Sequence, residues 1–119
     1  KTAMKEYALF NVAESKEKVR LCLSDIFFVA VDTVDYRNKQ IILRDGRQYT
    51  LMRHTFEDIM KYAKNLIQVN RSELVSIEAV QKVRYDLVTL KFHDPREVIV
   101  KQVTLNRRFR KNFMQIVNL

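Results

Sequence analysis

Hydrophobic and polar positions along much of this chain follow the two-residue period of β-strands. Val19-Arg20-Leu21-Cys22-Leu23 changes side at every residue, as a strand with one buried face does. Asp25 then leads into Ile26-Phe27-Phe28-Val29-Ala30-Val31, an unbroken apolar run of aromatic and β-branched residues, which predicts a strand covered on both faces. Gln40 to Leu43 and Gln48 to Met52 flank Asp45-Gly46 and predict a hairpin. Asp-Gly is the favoured pair for a type I′ turn, where both central residues need positive φ.

The period lengthens at Thr55. Phe56, Ile59, Met60, Ala63 and Leu66 or Ile67 fall at the i, i+3, i+4, i+7 spacing of one helical face. Thr55 as N-cap, with Asp58 three residues on, is a near relative of the capping box and predicts a helix over 54–65. After a short segment Leu66 to Val69, Asn70 to Ala79 reads as irregular and Val80 to Phe92 as one long strand. His93-Asp94-Pro95-Arg96 is a turn, and Val98-Ile99-Val100 starts another strand. A last helix over 106–118 has Asn106 as its N-cap and Phe109, Phe113, Ile116 and Val117 as its apolar stripe. So closely spaced a set of strands, with so few helices between them, excludes a parallel βαβ sheet. The class is mainly β with two short helices. Residues 1–9 read as a linker remnant or first strand, and 10–119 as one domain.

Composition fits a folded module. The chain has 119 residues, 47% of them hydrophobic, with a single glycine and a single proline, so it is neither linker nor low-complexity sequence. A domain of this size hides roughly 65% of the surface its unfolded chain exposes and needs no staples. Cys22 is the only cysteine, which excludes an internal disulfide and points to a reducing, cytoplasmic setting. The apolar run Ile26–Val31 is far too short for a membrane helix. Lys1 in first place, with no signal-peptide pattern, suggests a piece of a longer protein.

Charge changes the picture most. The formal net charge is +8, and from Val98 to Leu119 the ionised residues are Lys101, Arg107, Arg108, Arg110 and Lys111, with no acid among them. Such a field attracts polyanions: nucleic acid first, an anionic membrane surface second. The last helix breaks a local rule. Its first turn carries Arg107 and Arg108, although a helix N-terminus is the positive end of its dipole. Phosphates would satisfy both the arginines and the exposed N–H groups of that turn. A basic surface helix tolerated at small cost is the alternative.

At this level of detail the chain resembles the LytTR DNA-binding domain of bacterial response regulators, over roughly Phe10 to Val117. The carrying residues are collinear. Leu23 to Val31 (L-S-D-I-F-F-V-A-V) resembles the family's opening strand, where Asp-Ile precedes aromatics. Asp45-Gly46 and Tyr49 fit its hairpin, and Thr55 to Lys64 its first helix. Leu66 to Val80 (L-I-Q-V-N-R-S-E-L-V-S-I-E-A-V) is the most specific stretch, with Arg71-Ser72 and Leu74-Val75 in place. Leu105 to Phe109 (L-N-R-R-F) is similar to the family's V-S-R-R-Y. Two departures stand out: Asn70 replaces a common His and Ser76 a common Asn, and both bear on which DNA sequence is preferred.

The resemblance implies an elongated arrangement of small antiparallel sheets whose loops enter adjacent major grooves. It implies base contacts by Asn38 and Lys39 in the loop over Tyr36 to Lys39, by Arg71 in the Asn70-Arg71-Ser72 turn, and by Arg107. Arginine bonds guanine O6 and N7 in bidentate fashion, and asparagine can bond adenine N6 and N7. Arg37, Asn70, Ser72, Asn106, Arg108, Arg110 and Lys111 are the phosphate contacts that set register. For each of these residues plain solvation is the competing reading. Implied partners are double-stranded DNA with repeated half-sites bound by two subunits, and an N-terminal receiver domain outside this sequence; no membrane partner is implied.

Catalysis has no support. His54 and His93 lie far apart, no zinc-ligand spacing exists, and one glycine cannot build a phosphate loop, so no metal, cofactor or catalytic residue is expected. Asp32 and Asp35 read as acids of a polar loop. Tyr36 and Tyr85 could pack or hydrogen-bond at the interface, with core or rim packing the stronger expectation, and Phe27, Phe28, Phe56, Phe109 and Phe113 are expected in the core. Two other functions compete: an RNA or single-stranded nucleic-acid module, which needs exposed aromatics on a strand face, and a basic protein or membrane interaction domain.

Overall fold

The computed structural model describes residues 6–93 and 97–117. Within them, ten strands form three antiparallel sheets. The first sheet is the hairpin of β1 (Tyr7–Asn11) and β2 (Lys18–Cys22). The second and central sheet contains β3 (Ile26–Val31), β4 (Lys39–Leu43), β5 (Gln48–Leu51), β6 (Leu66–Asn70) and β7 (Glu73–Ser76), in the order β5-β4-β3-β7-β6. The third is a meander of β8 (Val80–Arg84), β9 (Leu87–His93) and β10 (Val98–Thr104). Helix α1 (Phe56–Tyr62) joins β5 to β6, and α2 (Arg107–Val117) follows β10. Extents of 40 × 38 × 27 Å make the molecule broad in two directions and thin in the third.

The central sheet buries both faces, which explains its apolar runs. One face holds Ile26, Val29, Ile41, Leu43, Leu66 and Leu74 against Phe10 and Leu21 of the first sheet and Phe56 and Ile59 of α1. The other holds Phe27, Phe28, Ile67, Val69 and Val75 against Val88, Leu90, Phe92 and Val103 of the third sheet and Phe113 of α2. Successive residues should alternate between these faces, yet Phe27 and Phe28 share one. A register irregularity between Ile26 and Phe28 in the β3–β4 pairing breaks the alternation and turns both rings to the same side. Phe27 then lies against Phe92, ring centroids 3.5 Å apart.

Several elements depart from expectation. The stretch Asn70 to Ala79 is not irregular: it contains β7 and a single 3-10 turn at Ile77–Ala79. The one long strand over Val80 to Phe92 is a hairpin folded at Tyr85-Asp86, with Arg84 paired to Leu87. Tyr85 takes φ 57° there, joined by Lys16 and Arg53 as non-glycine residues at positive φ. This conformation costs a residue with a Cβ about 1–3 kcal/mol. The Asp45-Gly46 hairpin forms, but only Gly46, at φ 86°, is left-handed, and Gly46 N donates to Leu43 O at 2.9 Å. The turn is therefore not type I′; Gly46 instead supplies one left-handed residue after an i-to-i+3 turn. Helix α1 is shorter than 54–65: Thr55 is its N-cap, and at Ala63, φ −99° and ψ 87°, the backbone leaves the helix before β6 begins at Leu66. The expected turn after His93 and the expected helix end at residue 118 lie outside the described residues. No described helix is long and apolar enough to cross a membrane.

Candidate nucleic-acid interface

The short turn between β6 and β7 is the hub of the candidate surface. Asn70 shapes it: Oδ1 accepts from Ser72 N at 2.8 Å, an Asx turn written in the Asn-Arg-Ser sequence. Its Nδ2 donates to Glu73 Oε1 and to Thr104 O, both at 2.8 Å. Arg71 is left exposed at the tip, with no side-chain hydrogen bond or ion pair among the described residues. Two further bonds attach the other predicted elements to this turn. Val31 N donates to Ser72 O at 2.9 Å, which holds the start of the β3–β4 loop beside it. Asn106 N donates to Val69 O at 2.8 Å, which does the same for the start of α2. Three segments distant in sequence thus meet along one edge.

The β3–β4 loop is organised by its own polar groups. Asp32 N donates to Asn38 O at 3.0 Å and Asn38 N to Asp35 O at 2.9 Å. Asn38 is half-buried, and its Oδ1 accepts from Arg53 N at 3.4 Å, so its amide group is oriented from the β5–α1 connection. Arg37 grips Asp35 through Nε–Oδ1 at 3.0 Å and Nη2–Oδ2 at 2.9 Å. Those side-chain bonds, then the bond from Arg37 N, hold the Asp35 carboxyl down at about 2, and the pair raises Arg37 in turn. Both groups are solvated, so the pair adds little stability. Val34 and Tyr36 project from the loop, 92% and 77% exposed. Tyr36 is therefore not the packed residue expected.

Lys39, expected as a base contact, is only 8% exposed. Its Nζ donates to Tyr36 O at 3.4 Å and stands 5.5 Å from the Phe56 ring centroid. Burial pushes its ammonium down from the usual lysine range. A base contact would require this side chain to leave its place beside α1.

At α2, Asn106 acts as the N-cap: Oδ1 accepts from Arg108 N at 2.9 Å. The first turn holds no acid, and Arg107 and Arg108 are both exposed. Arg107, Arg110 and Lys111 share one flank of the helix at i, i+3 and i+4. Arg110 is engaged internally, Nη1 donating to Tyr85 O at 2.6 Å. Lys111 and Ser72 are exposed. The structure therefore gathers Asn38, Arg71, Ser72 and Arg107–Arg108, gives Asn70, Asn106 and Arg110 internal work, and takes Lys39 inward. One residue was missed: Arg53 orients Asn38 through its backbone, and nothing in its sequence neighbourhood marks that contact. Tyr85, for which packing was the stronger expectation, is 79% exposed on a turn that no glycine, proline or asparagine announces.

Comparison with known proteins bears on the fold and the family. No curated protein matches the chain. A solved structure described as the LytTr DNA-binding domain of a methyl-accepting/DNA response regulator from Bacillus cereus superposes with a TM-score of 0.67 at 10% identity, covering 98% of this chain and 100% of that one. At that identity the likeness speaks for the fold. The profile of the LytTr DNA-binding domain family matches residues 16–118, nearly the whole chain, and the chain accordingly belongs to the LytTr family of DNA-binding domains.

Proposed function

We propose that this domain binds double-stranded DNA in a sequence-specific manner, as the cytoplasmic output module of a bacterial response regulator. What carries the reading is the hydrogen-bonded edge on which the β3–β4 loop, the Arg71 turn and the start of α2 converge. In it Asn38, Arg71 and Arg107 are the base readers. A bidentate arginine–guanine pair contributes about 1–3 kcal/mol of discrimination. Arg108, Lys111 and Ser72 face phosphates, while Asn70 and Asn106 set the geometry and Arg37 reaches a phosphate by releasing Asp35. The role is binding without catalysis or cofactor. Two subunits on repeated half-sites, and a receiver domain elsewhere in the protein, complete the proposal.

Selection from random duplexes at several salt concentrations tests it. A short motif should be enriched, in repeated half-sites. Arg71→Ala and Arg107→Ala should relax preference at particular bases. Enrichment of no motif, or preference for single strands, RNA or anionic vesicles, would overturn the reading. The RNA alternative draws no support from Phe27, Phe28 and Phe92, which are buried between sheets.

A further inference from the structure

The third sheet ends beside α2 in a two-residue turn that none of the roles above uses. Tyr85 occupies its first position at φ 57°, a conformation suited to glycine or asparagine. The residue is 79% exposed, so packing does not explain a tyrosine there. Two bonds fix the turn against the start of the helix. Leu105 N donates to Asp86 O at 2.6 Å, and Arg110 Nη1 donates to Tyr85 O at 2.6 Å. Arg110 lies one helical turn beyond Arg107 on the same flank, so the turn runs alongside the flank that carries Arg107. Arg84, also exposed, precedes it, its guanidinium 6.0 Å from the Tyr85 ring centroid.

We infer that the β8–β9 turn is a fourth DNA-contacting element, in which Tyr85 and Arg84 hold a backbone phosphate flanking the base read by Arg107. The phenol O–H donates to a phosphate oxygen and the Arg84 guanidinium pairs with the same strand. Neither touches a base edge, so the pair adds affinity and register without sequence preference. Arg110 is then a positioning residue: its charge serves to hold the Tyr85 carbonyl and with it the turn. Strain tolerated at an exposed turn fits a residue kept for what it contacts.

This inference rests on the duplex-binding reading, and the test separates the two. Binding of the unaltered chain and of Y85G, Y85F and R84Q is measured by fluorescence anisotropy on the selected duplex and on an unrelated duplex, across a salt series. Y85G removes the side chain and relieves the backbone, so its thermal midpoint should hold or rise. Y85G and Y85F should each weaken both duplexes about tenfold, with the motif preference unchanged. R84Q should make the salt dependence shallower by about one. If Y85G proves less stable, Y85F decides, since it keeps the ring and loses only the hydroxyl. Wild-type binding by Y85F and R84Q overturns the inference alone. An unaltered chain that prefers no duplex overturns the function beneath it.

Discussion

Helix α1 begins with Thr55, whose side chain accepts from Asp58 N while Asp58 reaches back to Thr55 N, and its first turn carries Glu57 and Asp58 with Lys61 at the other end. Helix α2 begins with Asn106 capping Arg108 N, then carries Arg107 and Arg108 with no acid, and has no basic residue in its last turn. Both have an N-cap and a buried aromatic anchor, Phe56 in one and Phe113 in the other. They differ in how charge meets the dipole. α1 follows the arrangement that stabilises a helix, and α2 reverses it. One chain makes both, so the reversal is not a by-product of a basic composition. It coincides with the edge where Arg71 and the β3–β4 loop also converge. Stability decided the first helix, and an external anion is the natural partner of the second.

The largest effect should come from making α2 resemble α1. Arg107→Glu places an acid in the first turn and should raise helix stability by about 0.3–1 kcal/mol. Duplex affinity should fall at least about tenfold, since the proposed bidentate base contact is replaced by a charge that repels phosphate. Thermal unfolding and anisotropy on one preparation read both quantities. Lower stability together with unchanged affinity would remove the functional account of the reversed charges.

Thr55→Ala is the reciprocal experiment. Losing a capping threonine costs about 1 kcal/mol, a clear drop in thermal midpoint, while affinity at a temperature where both proteins are folded should be unchanged. A large loss of affinity would mean that the start of α1 takes part in DNA contact. Lys111→Ala then asks whether the α2 flank works as a phosphate anchor beyond the first turn. All duplexes should weaken alike, and the salt dependence should become shallower by about one. A change confined to one base position would instead make Lys111 a reader.

The contrast between the helices was legible before any coordinates, because capping residues and charges act on neighbours within a few positions. Thr55, Asp58, Asn106, Arg107 and Arg108 all declare themselves locally. The run Ile26–Val31 likewise announced a strand with two buried faces. What stayed hidden depends on long-range partners. β7 is four residues long and apolar on both sides, so it has no alternation to read, and it is held by β3 and β6. The β8–β9 turn carries Tyr85-Asp86 in place of a recognised turn pair, so two strands read as one. Lys39 is expected as a base contact on an exposed loop, because lysine is rarely buried. Its burial follows from β4 beginning at that residue, which turns its stem toward Phe56. Arg110 gave no hint of its bond to a carbonyl 25 positions away. The three-element edge was legible through family resemblance only, since the bonds that join it link residues dozens of positions apart.

The smallest effect concerns the residue just before the α1 cap. His54 packs edge-on against Phe10, ring centroids 5.2 Å apart, and its Nε2 is shielded from solvent without a hydrogen-bond partner among the described residues. A protonated imidazole would need a partner there for a second N–H. Burial therefore lowers the His54 pKa; the neighbouring Asp58 pulls it up in part, and Lys39 pushes it further down. With the folded value below the unfolded one, the unfolded chain binds the extra proton more readily in the interval between them. Stability is then fully present above about pH 6.5, the unfolded value, and declines as pH falls toward the folded value. His54→Phe should flatten this part of the stability profile while leaving Arg107-dependent binding at neutral pH intact. Equal pH dependence in both proteins would show that α1 tolerates a cation at its start as readily as α2 does, and the distinction between the helices would then rest on DNA binding alone.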